Sequence, residues 1–153
     1  MDYFDYSYKH NYIEFSSSIY KVGTYHYNWY GETEILILLK GRVEMSCNDE
    51  AFILEPLDAV IISPQVGHST LALEEDVIAF SIRVGHEFYQ QYDPDFGMYQ
   101  FVVRSDESIR HNQFFTTLRH HAAMMMLLMA KGESPVHRMW VEHHYLALAG
   151  DVF

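Results

Sequence analysis

Cysteine is almost absent. Cys47 is the only one in 153 residues, which rules out an internal disulfide and suits a reducing cytoplasm. Cations are scarce too: ten Lys and Arg stand against 21 Asp and Glu, for a formal net charge of -11 with His neutral. A surface so acidic repels phosphate, so this segment is not expected to grip nucleic acid by itself. No apolar run is long enough to span a bilayer. The opening Met1-Asp2-Tyr3-Phe4 is acidic and aromatic, whereas a secretory leader is basic and then apolar. A nucleophile elbow, a phosphate-binding loop, a dinucleotide fingerprint and a His-Glu-x-x-His pattern are all missing.

Apolar and aromatic residues are plentiful. Hydrophobic residues make up 49% of the chain and charged ones 20%, enough to bury one core in a chain of single-domain length. Twelve Tyr, ten Phe and two Trp favour strands and suit the walls of a small-molecule pocket. The same rings would serve equally as a bulky core.

Along the chain, residues 1–11 form an aromatic arm without helical period, an edge strand or a flap bearing Tyr3, Phe4, Tyr6 and Tyr8. Residues 12–104 are expected to form short strands broken by turns. Glu34 to Leu39 is an apolar run of strand length, closed by Lys40-Gly41. Val43, Met45 and Cys47 alternate with Glu44 and Ser46, giving one dry face and one wet face. Ala51–Leu54, Ala59–Ile62 and Val77–Ile82 follow, with a helical turn near His86–Gln91 and one more strand near Tyr99–Val103. Close-spaced strands without helices between them mean an antiparallel sandwich or barrel. Residues 105–150 change pattern. Ser105 or Asp106 can cap a helix on which Phe115, Leu118, Ala122, Met125 and Met129 recur at helical spacing. Lys131-Gly132 ends that helix, and Ser134-Pro135 starts another, with Val136, Trp140, His143 and Ala147 on one face. The doublets His120-His121 and His143-His144 look like metal pairs, but neighbours on a helix do not share a face, so they are expected to be surface and packing residues.

Two stretches resemble the cupin superfamily, and within it the N-terminal domains of AraC-type regulators. His26-Tyr27-Asn28-Trp29-Tyr30-Gly31-Glu32-Thr33-Glu34 followed by an apolar strand and Gly41 is similar to the first cupin motif. Leu54-Glu55-Pro56-Leu57-Asp58, then a strand, then Pro64 and His68, is similar to the second. The Leu57-to-Pro64 spacing is one step longer than is common in metal cupin enzymes and looks like the regulator branch. Leu57 replaces the motif glycine and would be strained if that turn needs positive φ. The paired-His positions fall on Asn28 and Tyr30, or on His26 and Asn28, so the metal set is broken; only His26, Glu34 and His68 remain for an ion.

The resemblance implies a cupin-type double-stranded β-barrel, or jelly roll, followed by a two-helix hairpin. It implies an effector-sensing and dimerisation domain without catalytic residues or cofactor. A small molecule, for instance a sugar, would be held by Tyr25, His26, Asn28, Tyr30, Glu34 and His68, with Trp29 beside Tyr25 as an aromatic wall. A homodimer would form through Leu118, Ala122, Met125 and Met129, and DNA would be bound only by a helix-turn-helix domain outside this chain. The alternatives are a small metal-dependent cupin enzyme working through His26, Glu34 and His68, and a stand-alone carbohydrate-binding cupin.

Overall fold

Val43, Met45 and Cys47 are buried while Glu44 and Ser46 stay partly open, so the alternation in this stretch does turn one side of a strand to a core. The computed structural model describes residues 2–10, 13–29, 31–131 and 134–151, and the side chains of all of these except 2–6, 8–10, 13, 14, 137 and 138. Ten strands occur among the described residues: β1 (Asp2–His10), β2 (Ile13–Lys21), β3 (His26–Asn28), β4 (Glu32–Lys40), β5 (Val43–Cys47), β6 (Glu50–Leu54), β7 (Ala59–Ile62), β8 (His68–Ala72), β9 (Ile78–Gly85) and β10 (Val102–Arg104). They pair antiparallel into a six-stranded sheet, ordered β1-β2-β9-β4-β7-β10, and a four-stranded sheet, ordered β3-β8-β5-β6. The fold is mainly β, a cupin-type jelly roll followed in sequence by a pair of helices. The aromatic arm of the sequence becomes β1, an edge strand laddered on β2.

The core lies between the sheets. Leu36, Leu38, Val60, Ile62 and Ala79 of the larger sheet share one hydrophobic cluster with Val43, Met45, Cys47, Phe52 and Leu54 of the smaller. β4 is apolar on both sides because both faces of its sheet are buried. Ile35 pairs with Ile61 and Ile82, and all three lie on the face away from that cluster, at most 2% exposed. A short helix, α1 (His86–Gln90), sets Phe88 edge-on against Phe15 on that side. The four-stranded sheet is one-sided: its outer face carries Tyr27, Leu71 and Ile53, all exposed.

The turn before β7 holds Leu57 at φ 75, in the left-handed region where a glycine stands in the motif it resembles. Asp58 ties the turn together. Its Oδ2 accepts from the Glu55 amide, and its Oδ1 accepts from the Ser105 hydroxyl at 2.7 Å. Ser105 also accepts from the Ala59 amide and donates its own amide to the Ala59 carbonyl.

This is why Ser105 caps no helix. The first long helix, α2 (Gln113–Ala130), begins later than the sequence suggests, at Asn112, whose side chain accepts from the Phe115 amide. The second, α3 (Pro135–Asp151), starts at the expected proline. The chain divides into two units, Met1–Glu107 and Ser108–Phe153. In the second unit, Phe115, Leu118, Ala122, Met125 and Met129 are the buried residues of α2, and Val141, Tyr145, Leu148 and Ala149 are buried on α3. The face that Val136 and Trp140 share is the exposed one. No helix among the described residues is long and apolar enough to cross a membrane.

Candidate functional site

Strand alternation brings one set of polar side chains to the barrel interior. His26 and Asn28 pair across β3 and β8 with Thr70 and His68. From the facing sheet, Glu34 of β4 lies opposite Arg83 of β9, and the same parity carries Ser81 and, across to β2, Ser18 and Tyr20. These residues line a cleft of about 140 Å3 bounded by Ser18, Tyr20, His26, Asn28, Glu34, Ser81 and Arg83. Each has a group able to form hydrogen bonds. A larger depression of about 230 Å3 lies by Gln65, His86 and Gln90, but it gathers none of the residues expected in the site.

Beneath the cleft, His68 and Glu34 are 2% and 3% exposed. His68 Nε2 lies 3.0 Å from Glu34 Oε1, and Ser81 donates to Glu34 Oε2 at 3.0 Å. His68 Nδ1 faces the Val66 carbonyl at 3.2 Å. A carbonyl can only accept, so Nδ1 carries a hydrogen, and Nε2 shares a proton with the Glu34 carboxyl across the other bond. Burial by itself would push the His68 pKa down, but the hydrogen bond and charge of Glu34, helped by Val66, outweigh it and raise the pKa above its ordinary 6.5. The result is a charge-matched pair that presents Glu34, not His68, to the cleft.

The expected residues divide accordingly. His26, Asn28 and Glu34 meet in the cleft, and His68 supports it from below. Tyr25 and Trp29 do not line it: they are 67% and 59% exposed, and the Trp29 indole donates to the Gln65 carbonyl. A period-two strand that points His26 and Asn28 inward leaves the odd-numbered neighbours facing out. Tyr30 lies outside the described residues, as do the side chains of Tyr3, Phe4, Tyr6 and Tyr8. Ser18, Tyr20, Ser81 and Arg83 were not anticipated. Their signal was present in β9, where Ala79, Ser81 and Arg83 alternate with Phe80, Ile82 and Val84.

The donor set does not fit a metal ion. Glu34 and His68 bond each other directly, and His68 has both ring nitrogens engaged. Among the described residues no three His, Cys, Asp or Glu side chains come together as a metal group. Leu118, Ala122, Met125 and Met129, expected at a subunit contact, are at most 8% exposed within the single chain.

No protein-family model matches the chain, and no curated protein matches it. Solved structures do. KdgF from Halomonas sp. is similar over 47% of this chain and 68% of its own, at 19% identity and TM-score 0.41. A cupin superfamily protein from Desulfitobacterium hafniense is similar over 56% of this chain and 81% of its own, at 13% identity and TM-score 0.43. Oxalate decarboxylase from Bacillus subtilis is similar over 48% of this chain and 21% of its own, at 22% identity and TM-score 0.40. The expectation that this chain is not an enzyme is corrected by the last of these: barrels of this type include an enzyme, so the architecture gives no ground for excluding catalysis. At such identities the likeness concerns the fold alone, and what the chain shares with these proteins is the cupin barrel.

Proposed function

We propose that the barrel binds a small, hydroxyl-rich or otherwise polar molecule in the cleft over Glu34, and that the chain serves as the effector-sensing and dimerisation domain of an AraC-type regulator in the cytoplasm. The observation that carries the binding reading is the convergence of seven polar side chains from both sheets on one small cleft. A site that is both concave and polar orients a ligand through directed hydrogen bonds. The regulator reading rests on the motif resemblance and on the helical pair. In that reading the subunit contact falls to the apolar residues left open on α3, Val136, Met139 and Trp140, and DNA is met by a domain outside these 153 residues, consistent with the net charge of -11.

A thermal-shift screen with neutral sugars and small hydroxy acids tests the binding reading. A ligand that binds only the folded barrel stabilises it by about 2.7 kcal/mol at a hundredfold excess over Kd. The shift should disappear in Asn28→Ala. If no compound raises the melting temperature, or if the variant responds like the parent, the cleft is not the binding site.

A second reading is favoured by the Glu34–His68 pair itself. A carboxylate that faces a ligand and touches a proton-bearing imidazolium is equipped for proton transfer. Any compound found to bind would be incubated with the protein and examined for conversion, with Glu34→Gln as the control.

A further inference from the structure

His121 on α2 and His144 on α3 meet with their Nδ1 atoms 3.2 Å apart. Within each helix the two histidine doublets do split between faces. Pairing of the helices then brings one member of each doublet together, with the others alongside. Ring centroids are 5.5 Å apart for His121 and His144, 5.7 Å for His120 and His121, and 5.0 Å for His143 and His144. His144 is 7% exposed. Among the described residues no third His, Cys, Asp or Glu joins the pair as a metal group.

We propose that the His121–His144 contact is an acid-sensitive latch that holds α2 and α3 together when neutral and releases them when both rings are protonated. With both rings neutral, one Nδ1–H donates to the lone pair of the other. A single added proton leaves one acceptor and keeps the bond. A second leaves two donors of like charge facing each other at 3.2 Å, with no lone pair between them.

The surroundings add to the effect. Burial first, then His143, His121 and His120, push the His144 pKa below its ordinary 6.5, and no carboxylate among the described residues is one of the groups that shift it. Asp151 is an acid coupled to the cluster, through His121. Burial pushes its carboxyl above the ordinary carboxylate range against the pull of that ring, and its Oδ2 has no hydrogen-bond partner among the described residues. It therefore takes up a proton sooner than an ordinary carboxyl and offers less compensating charge in acid. A depressed folded-state pKa gives stability that is complete above the ordinary value and lost as pH falls through the folded one.

The test is amide hydrogen exchange on the whole chain between about pH 7.5 and about pH 5, corrected for intrinsic exchange, with the His144 ring followed by NMR. Exchange in α2 and α3 should quicken in acid by about tenfold for each unit that folding depresses the His144 pKa, while β4 and β9 do not follow. His144→Gln should flatten that response. Equal exchange at the two pH values, or an unchanged response in the variant, overturns the latch. If the variant does not fold, the parent's ring decides: titration below 6.5 supports the latch, and titration at or above 6.5 overturns it.

Discussion

His68 Nε2 sits 3.0 Å from Glu34 Oε1, and the bond runs from β8 of one sheet to β4 of the other. It is a polar rivet in a barrel whose remaining inter-sheet contacts are mostly apolar. Removing one half strands the other. His68→Ala should cost about 3–5 kcal/mol, because it leaves a buried carboxylate without its cation. The double replacement Glu34→Leu with His68→Leu should recover most of that loss. Urea unfolding of the three proteins measures both values, and a single variant as stable as the parent would mean the pair is not ionised.

The same pair sets a pH dependence. The folded-state pKa of His68 is raised above 6.5, so its contribution is complete below that value and disappears as pH rises through the folded pKa. Barrel stability should therefore fall on the alkaline side of 6.5, with a slope of at most about 1.4 kcal/mol per pH unit from this one group. Unfolding followed through the barrel strands across that range shows it, and His68→Ala should remove the slope.

Leu57 occupies a position that asks for glycine. It sits at φ 75 and is half exposed, so its side chain buries little in return. Glycine would remove a left-handed penalty of roughly 1–2 kcal/mol and release roughly 0.4–1 kcal/mol of unfolded-chain entropy. Leu57→Gly should therefore stabilise the barrel by about 1 kcal/mol, read as a rise in the urea midpoint at constant slope.

Ser105 binds the end of β10 to the turn before β7. Without its hydroxyl, the Ala59 amide and Asp58 Oδ1 lose a buried partner. Ser105→Ala should cost about 1–3 kcal/mol, and amide exchange at Ala59 should rise more than elsewhere in β7. Equal protection at Ala59 in both proteins would place the bond's effect elsewhere.

The strands from β4 to β7 were legible in the sequence because turn residues punctuate them and side chains alternate. Gly41 ends β4 at φ 80, and Asn48-Asp49, both at positive φ, turn β5 into β6. β8 was less visible: His-Ser-Thr-Leu-Ala mixes polarity because its inner face reaches the cleft as well as the core. The start of α2 was displaced because Ser105 has the chemistry of a cap and spends it on Asp58. In the site, His26, Asn28, Glu34 and His68 could be named from motif positions, but Tyr25 could not be oriented without knowing the strand's phase. The contribution of β2 and β9 was hidden for a different reason. Serine and arginine in a strand are usually solvent-facing, and only the closure of the barrel turns Ser18, Ser81 and Arg83 inward. The meeting of His121 and His144 depends on how two helices pair, which neither helix encodes alone.

Among the described residues the two buried histidines have opposite company, a carboxylate for His68 and other imidazoles for His144. Near neutrality, one unit therefore holds its proton more tightly on folding while the other gives one up. In a titration of the whole chain the two terms cancel only near 6.5, because the barrel loses stability above that value and the helices lose it below. A bulk profile of stability against pH would therefore peak there, with its alkaline and acid limbs belonging to different units. Acid would strain the helices while sparing the barrel, and alkali would do the reverse, so one chain would have two different weakest points depending on the medium.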